Sequence, residues 1–174
     1  MAIDVATSAA RAVLDPVRSF NFLVALVDSS QTGVLAALRN IASIALGGFS
    51  ECSGLEGTLQ VYDHPEGGGN DTTLHFPTRM SWSNIRLRRG VTLSDELWNW
   101  HYDFVQGRGR RRDGIIVLEN ELRMPIKVWQ FSRGIPTKWT GPALDAAQSR
   151  VAIEELEITH EGLLVASLGT AIGF

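Results

Sequence analysis

The chain has 174 residues, with 16 Lys and Arg against 19 Asp and Glu and a formal net charge of −3. At 44% apolar and 20% charged residues it has the make-up of one soluble globular domain, long enough to bury a core. The mild acidity argues against a dedicated nucleic-acid binder, and the single cysteine, Cys52, excludes an intrachain disulfide and a cysteine zinc cluster.

The opening "MAIDVATSAARAVLDP" carries Asp4 early and no long apolar core, so no cleaved secretion signal is expected, and synthesis in the cytoplasm is. Residues 1–14 read as an arm, closed by Asp15-Pro16, where the proline ring disfavours helix just before it. In "SFNFLVALVD" both alternating sets are apolar, which predicts a strand buried on both sides, or on one side and against another subunit. Between Gly33 and Leu46 the period lengthens: Val34, Leu38, Ile41 and Ala45 share one face. A short helix over this span, ending at Gly47-Gly48, is one reading; an apolar loop that orders against a partner is the other. The span is broken by Arg39 and Asn40 and is too short for a membrane crossing, so no membrane is expected.

From Gly48 onward strand patterns dominate. "FSECSG" and "TLQVYD" are separated by Gly54 and Gly57, and "TTLHF" follows the glycine-rich "EGGGND". "WSNIRLRRG" alternates Ile85 and Leu87 with Arg86 and Arg88, giving one apolar and one basic face. "SDELWNWHYDFVQG" is helical, with Ser94 as expected N-cap, Asp95 and Glu96 in the first turn and Gly107 as the stop. Leu97, His101 and Phe104 form one stripe of that helix, with Trp98 and Tyr102 beside it. Trp98 and Trp100 diverge by about 200°, so one of them must point away from the domain's own core. "DGIIVLEN" and "PIKVWQFSRG" flank a turn as an antiparallel hairpin. In "VAIEELEITHEGL" Val151 and Ile153 have one parity and Leu156 and Ile158 the other, which predicts a bulge at Glu154-Glu155. Seven or eight strands and one helix imply a mainly β, antiparallel sandwich or barrel.

No catalytic constellation emerges. The four histidines match no common zinc spacing, and Cys52 has no adjacent basic group to lower its pKa. "YDHPEGGGND" has oxygen ligands but lacks the ordered alternation of a calcium loop, so no metal, cofactor or enzymatic activity is expected. Five tryptophans could stack on sugars, and "GRGRRR" could neutralise phosphates, so a carbohydrate binder and a nucleic-acid-binding module using the arginine cluster stand as alternatives.

Taken in order, "GGFSECSGLEG", "HPEGGGND", "NIRLRRGV", "ELWNW", "GRRRDGIIVL" and "PTKWTGPALDAAQSRVAIEELEITHEGL" resemble the tail tube family of contractile phages and of phage-tail-like injection systems. The likeness runs from about Asp15 to Leu163. It implies an antiparallel β-sandwich or barrel with one flanking helix, similar to the ring-forming tube protein of type VI secretion. Six copies would form a ring, and rings would stack into an inner tube inside a sheath. The implied partners are further copies as a homo-hexamer, adjacent rings, sheath and baseplate proteins and a lumenal cargo; the particle itself can be extracellular. No specific nucleic-acid binding is implied.

The resemblance also places contacts. Asp63, His64, Glu66, Gly68, Asn70 and Asp71 match a loop that reaches a neighbouring subunit or ring. Arg108, Arg110, Arg111 and Arg112 match a basic turn, read as a contact to the sheath or to acidic groups of a neighbour. Leu97, Trp98, Trp100 and Tyr102 are the helix packing residues, on a helix facing the sheath. The chain then divides into an arm (1–14), a tube domain (15–163) and a tail (164–174). The family joins its first strand to the "GFSE" motif by a short turn, whereas here residues 29–47 intervene, with Leu35, Leu38, Ile41 and Leu46 as contact candidates. An insertion of this kind suits either a main tube subunit or the first ring on a baseplate.

Overall fold

The computed structural model describes residues 18–28, 48–65 and 72–167; the expected insertion over 29–47 and the expected arm over 1–14 lie outside them. Nine strands and one helix follow in the order β1 (Phe22–Asp28), β2 (Phe49–Ser53), β3 (Gly57–Pro65), β4 (Thr73–Trp82), β5 (Ile85–Gly90), α1 (Glu96–Val105), β6 (Arg112–Glu119), β7 (Pro125–Thr140), β8 (Ile153–Thr159) and β9 (Gly162–Ser167). All pairings are antiparallel. β1, β6, the first half of β7 and β9 make one layer, while the second half of β7, β8, β5 and β2 make the other. The expected mainly β, antiparallel architecture with one helix is therefore the one observed. Among the described residues β3 and β4 pair only with each other.

β7 is the hinge between the layers. It turns at Arg133, whose φ of 55° is rare for a side-chain-bearing residue and is held by the Asp113 carboxylate, which accepts the Arg133 amide N–H at 2.8 Å. Gly114 on β6 lies under this turn because the ring of Phe131 crosses it: a Cβ there would sit 2.0 Å from the ring. Phe131 joins Val24, Leu26, Ile85, Leu87, Leu156 and Ile158 in a single core between the layers. Val24, Ala25 and Leu26 are buried in succession, so β1 is covered on both faces as its sequence suggests.

The bulge expected at Glu154-Glu155 does not exist. β8 pairs with β5 in unbroken register from Ile85↔Ile158 to Gly90↔Ile153, which leaves Val151 and Ile153 exposed and turns Glu154 inward. Burial of that carboxylate is made tolerable by Arg89, directly opposite it on β5 and itself buried. Arg89 Nε donates to Glu154 Oε1 at 2.6 Å, the Trp139 indole N–H donates to Glu154 Oε2 at 3.1 Å, and the guanidinium also bonds the Ser94 carbonyl at 3.1 Å. Its carbon lies 6.0 Å from the Phe49 ring centroid. A buried pair satisfied on several sides overrides hydrophobic parity.

The start of α1 also differs from expectation. Its N-cap is Asp95, with no side-chain capping bond, while Ser94, the expected cap, offers its carbonyl to Arg89. The helix ends as the sequence indicates. Gly107 has φ of 71°, its N–H bonds the Phe104 carbonyl at 3.1 Å, and the Arg108 N–H reaches back to Asp103 at 2.8 Å. These two bonds form a Schellman cap, which needs a left-handed residue that glycine supplies without strain. At the other end of the domain, β9 runs past the expected tail boundary, with residues 164–167 paired to β7.

Candidate assembly surfaces

Three surfaces carry the candidate residues. The first is the β3–β4 hairpin. Apart from Trp82, every residue of its two strands is exposed. Alternation places Tyr62, His64, Leu74 and Phe76 on one face, with Tyr62 opposite Phe76 and His64 opposite Leu74. The His64 ring lies 6.2 Å from both the Tyr62 and the Phe76 rings. The other face carries Asp63 and His75, joined by a 2.6 Å bond between Oδ1 and Nδ1. Glu66, Gly68, Asn70 and Asp71 lie outside the described residues.

The second surface is α1 with the basic turn behind it. Leu97 and Trp100 are buried, while Trp98 and Tyr102 are stacked on the outside at 5.5 Å, so the two tryptophans do diverge. Trp98 also meets Trp139 edge-on at 4.8 Å. The turn is tied to its own domain. The Trp100 indole N–H donates to the Arg110 carbonyl at 2.9 Å, and Arg112 pairs with Glu96 at 2.9 Å with its guanidinium carbon 5.1 Å from the Trp100 ring centroid. Arg111 pairs with Glu161, and Arg108 bonds Gln106 and lies 3.5 Å from Asp103. Glu161 also accepts from Arg133 at 2.8 Å. The hydrogen bond from Arg133, opposed by partial desolvation and reinforced by the charges of Arg133 and Arg111, holds the Glu161 carboxyl below the usual carboxylate range.

The third surface is the outer face of the β2–β5–β8 layer. The register lines up Glu51, Arg88, Glu155 and Thr140 in one row and Ser53, Arg86, Glu157 and Lys138 in the next. Arg88 donates to Glu51 at 3.0 Å and lies 3.4 Å from Glu155; Arg86 lies 3.8 Å from Glu157, which also accepts from Asn84 at 2.8 Å. Each charge thus stands beside its opposite. Cys52 sits on this layer's inner side, and burial, aided by the Glu51 charge, pushes its thiol up to about 12, which keeps it protonated and unreactive. Among the described residues no group of three or more His, Cys, Asp or Glu could hold a metal ion, and no helix is long and apolar enough to cross a membrane.

Comparison with known proteins gives these surfaces a context. The model of the family described as T4-like virus tail tube protein gp19 matches residues 18–164. The chain belongs to that tail tube family. Among solved structures, a chain of the anti-feeding prophage baseplate is 26% identical, with a TM-score of 0.74 over 88% of this chain and 97% of its own. A chain of the sheath–tube complex of the PVC extracellular contractile injection system is 23% identical, with a TM-score of 0.75 over 92% and 97%. A type six secretion system protein shares the fold at 12% identity and a TM-score of 0.50, over 84% of this chain and 82% of its own. No curated protein matches.

The structure places the residues that the sequence reading singled out as follows. Leu97 and Trp100 face the core, Trp98 and Tyr102 face solvent, and the basic turn is engaged by its own domain at Arg108, Arg111 and Arg112. Leu35, Leu38, Ile41 and Leu46 lie outside the described residues. Tyr62, Leu74 and Phe76 were missed, although the parity of "VYDH" and "TLHF" already places them with His64 on one face. Glu161 and Arg133 carry no sequence signal, because they meet only when β7 turns.

Proposed function

We propose that this chain is a structural subunit of the inner tube of a contractile phage tail or phage-tail-like injection system, assembling as stacked hexameric rings inside a sheath. The observation that carries the reading is the β3–β4 hairpin. A two-stranded ribbon that no other element covers among the described residues is marginal in water, and one with an aromatic face is expected to persist because another molecule covers it. Asp63 and His64 belong to that contact. In this reading the row-paired face of Arg86, Arg88, Glu155 and Glu157 lines the channel, where neutralised charges bind a passing cargo weakly. In the same reading the Trp98–Tyr102 stack on α1 and the basic turn that follows the helix face the sheath. Negative-stain microscopy of the purified protein, alone and with the other tail proteins, tests the proposal: rings or tube-incorporated copies are expected, and their absence overturns it.

A place as the first ring on the baseplate is the second reading, supported by the likeness to a chain of the anti-feeding prophage baseplate and by the additional segment at 29–47. Quantitative mass spectrometry of intact particles separates the two. Six copies per particle fit a single ring, and a copy number that grows with tube length fits the main tube.

A further inference from the structure

His160 is buried at the β8–β9 turn, away from the three surfaces described above. Its two ring nitrogens have the same kind of partner. Nδ1 lies 3.0 Å from the Gly162 carbonyl oxygen, and Nε2 lies 3.1 Å from the Ser83 carbonyl oxygen. A carbonyl oxygen only accepts, and a neutral imidazole has one N–H, so both bonds exist together only in the doubly protonated ring. A neutral ring turns a nitrogen lone pair toward one of the two oxygens. The Trp82 and Phe131 rings, centred 6.2 Å and 5.8 Å from the imidazole, are neighbours that suit a cation.

The two carbonyls are held differently. Gly162 is paired with Ser132 on β7, and the Glu161 N–H donates to the Ser132 carbonyl at 3.0 Å, so the turn is fixed to the body. Ser83 stands in the connection from β4 to β5, at the foot of the β3–β4 hairpin. Its N–H donates to the Glu56 carbonyl at 3.1 Å and its hydroxyl to the Glu56 carboxylate at 3.4 Å. Those bonds tie one leg of the hairpin to the other, whereas the His160 bond ties them to the body.

We infer that His160 is a proton-operated latch on the hairpin. Doubly protonated, it clamps the Ser83 carbonyl; on losing the Nε2 proton to water it releases that carbonyl and lets the hairpin foot shift. The foot then pivots on Asn84, which stays fastened to Glu157 at 2.8 Å and Thr159 at 2.9 Å. Nε2 is the nitrogen that gives up its proton, because Ser83 can retreat from the lone pair and Gly162 cannot. The charged groups on the surrounding elements are engaged elsewhere. Glu161 holds Arg111 and Arg133, Asp113 on β6 accepts the Arg133 amide, Glu56 accepts from Ser83, and Glu157 stands beside Arg86. The latch belongs to the single chain and does not depend on the tube reading, so either can fail without the other.

Hydrogen–deuterium exchange of the full chain tests the latch. A His64→Gln, His75→Gln background removes the two exposed histidines of the hairpin itself. Histidine is the side chain that ordinarily changes charge between about pH 5 and about pH 8. Across that span the protection factors of peptides covering residues 54–58 and 82–86 should fall several-fold, while those of β6 stay level. Adding His160→Gln should abolish the pH dependence, because the amide does not titrate. Equal protection at both ends of the span overturns the latch, and so does a fall that survives His160→Gln. If His160→Gln does not fold, ring-nitrogen NMR of the background chain decides, since its one other histidine is His101. Two protonated nitrogens on the ring beside Trp82 and Phe131 in acid, and one where protection has fallen, are expected. A single N–H throughout overturns the proposal.

Discussion

On β5 and β8, Ile85 faces Ile158, Leu87 faces Leu156 and Arg89 faces Glu154, and all six side chains are buried. On β3 and β4, Tyr62 faces Phe76 and His64 faces Leu74 in an equally regular ladder, and none is buried. Pairing chemistry is the same in both ribbons; only the second layer differs. The body therefore keeps its own shape, whereas the hairpin has side chains suited to a core and, among the described residues, none that covers them. Stability and assembly are thus written in separate parts of the domain, and variants can move one without the other.

The largest effect is expected in the body, at Arg89. Arg89→Ala leaves the Glu154 carboxylate buried without its main partner and should lower unfolding stability by about 3–5 kcal/mol, measured by urea denaturation. The joint replacement Arg89→Met with Glu154→Leu should recover most of that loss, because it removes both charges. A single replacement costing less than ~1 kcal/mol would show that the buried pair does not organise the body. Next comes Gly114→Ala, whose methyl enters the space of the Phe131 ring; displacing that ring should cost about 1–3 kcal/mol in the same measurement.

The hairpin should answer in the opposite sense. Tyr62→Ser together with Phe76→Ser removes the aromatic face and should change monomer unfolding by no more than about 0.5 kcal/mol, since both residues already stand in water. The same variant should sediment as monomer where the wild type forms rings or stacks. A drop in unfolding stability comparable to that of Gly114→Ala would mean that the hairpin packs within its own subunit, and the contrast between the two ribbons would collapse.

The contrast also explains what could be read in advance. Most of the strands, the helix α1 and its glycine stop follow from local pattern, because alternation, a helical stripe and a left-handed cap are each decided within a few residues. The bulge at Glu154-Glu155 was an error of the same method: parity counts apolar residues, and it cannot see that Glu154 has Arg89 waiting on a strand 65 positions away. β7 was legible only in its first half, since its passage through Arg133 and Pro136 into the second layer is set by tertiary pairing. The basic turn was legible as charge but not as contact. Its partners Glu96 and Glu161 come from α1 and from the β8–β9 turn.

The smallest effect concerns Glu161, where the basic turn is anchored. Its carboxyl is held low chiefly by the hydrogen bond from Arg133, with the charges of Arg133 and Arg111 adding to it against partial desolvation. A carboxylate whose folded pKa lies below its unfolded value stabilises the fold above the unfolded carboxylate range, and that contribution is lost as pH falls through the folded value. Glu161→Gln should therefore flatten the acid limb of the stability–pH curve and leave the neutral plateau nearly unchanged, because the group is exposed and well screened. Arg111→Glu should go further at neutral pH, placing a second negative charge beside Glu161 and loosening the turn that the Trp100 indole and Glu96 still hold. An acid limb identical in wild type and Glu161→Gln would mean that the two arginines do not hold this carboxylate in solution. An altered limb instead shows that Arg111 and Arg133 fasten the turn to its own domain, and leaves the Trp98–Tyr102 stack as the exposed aromatic part of this surface.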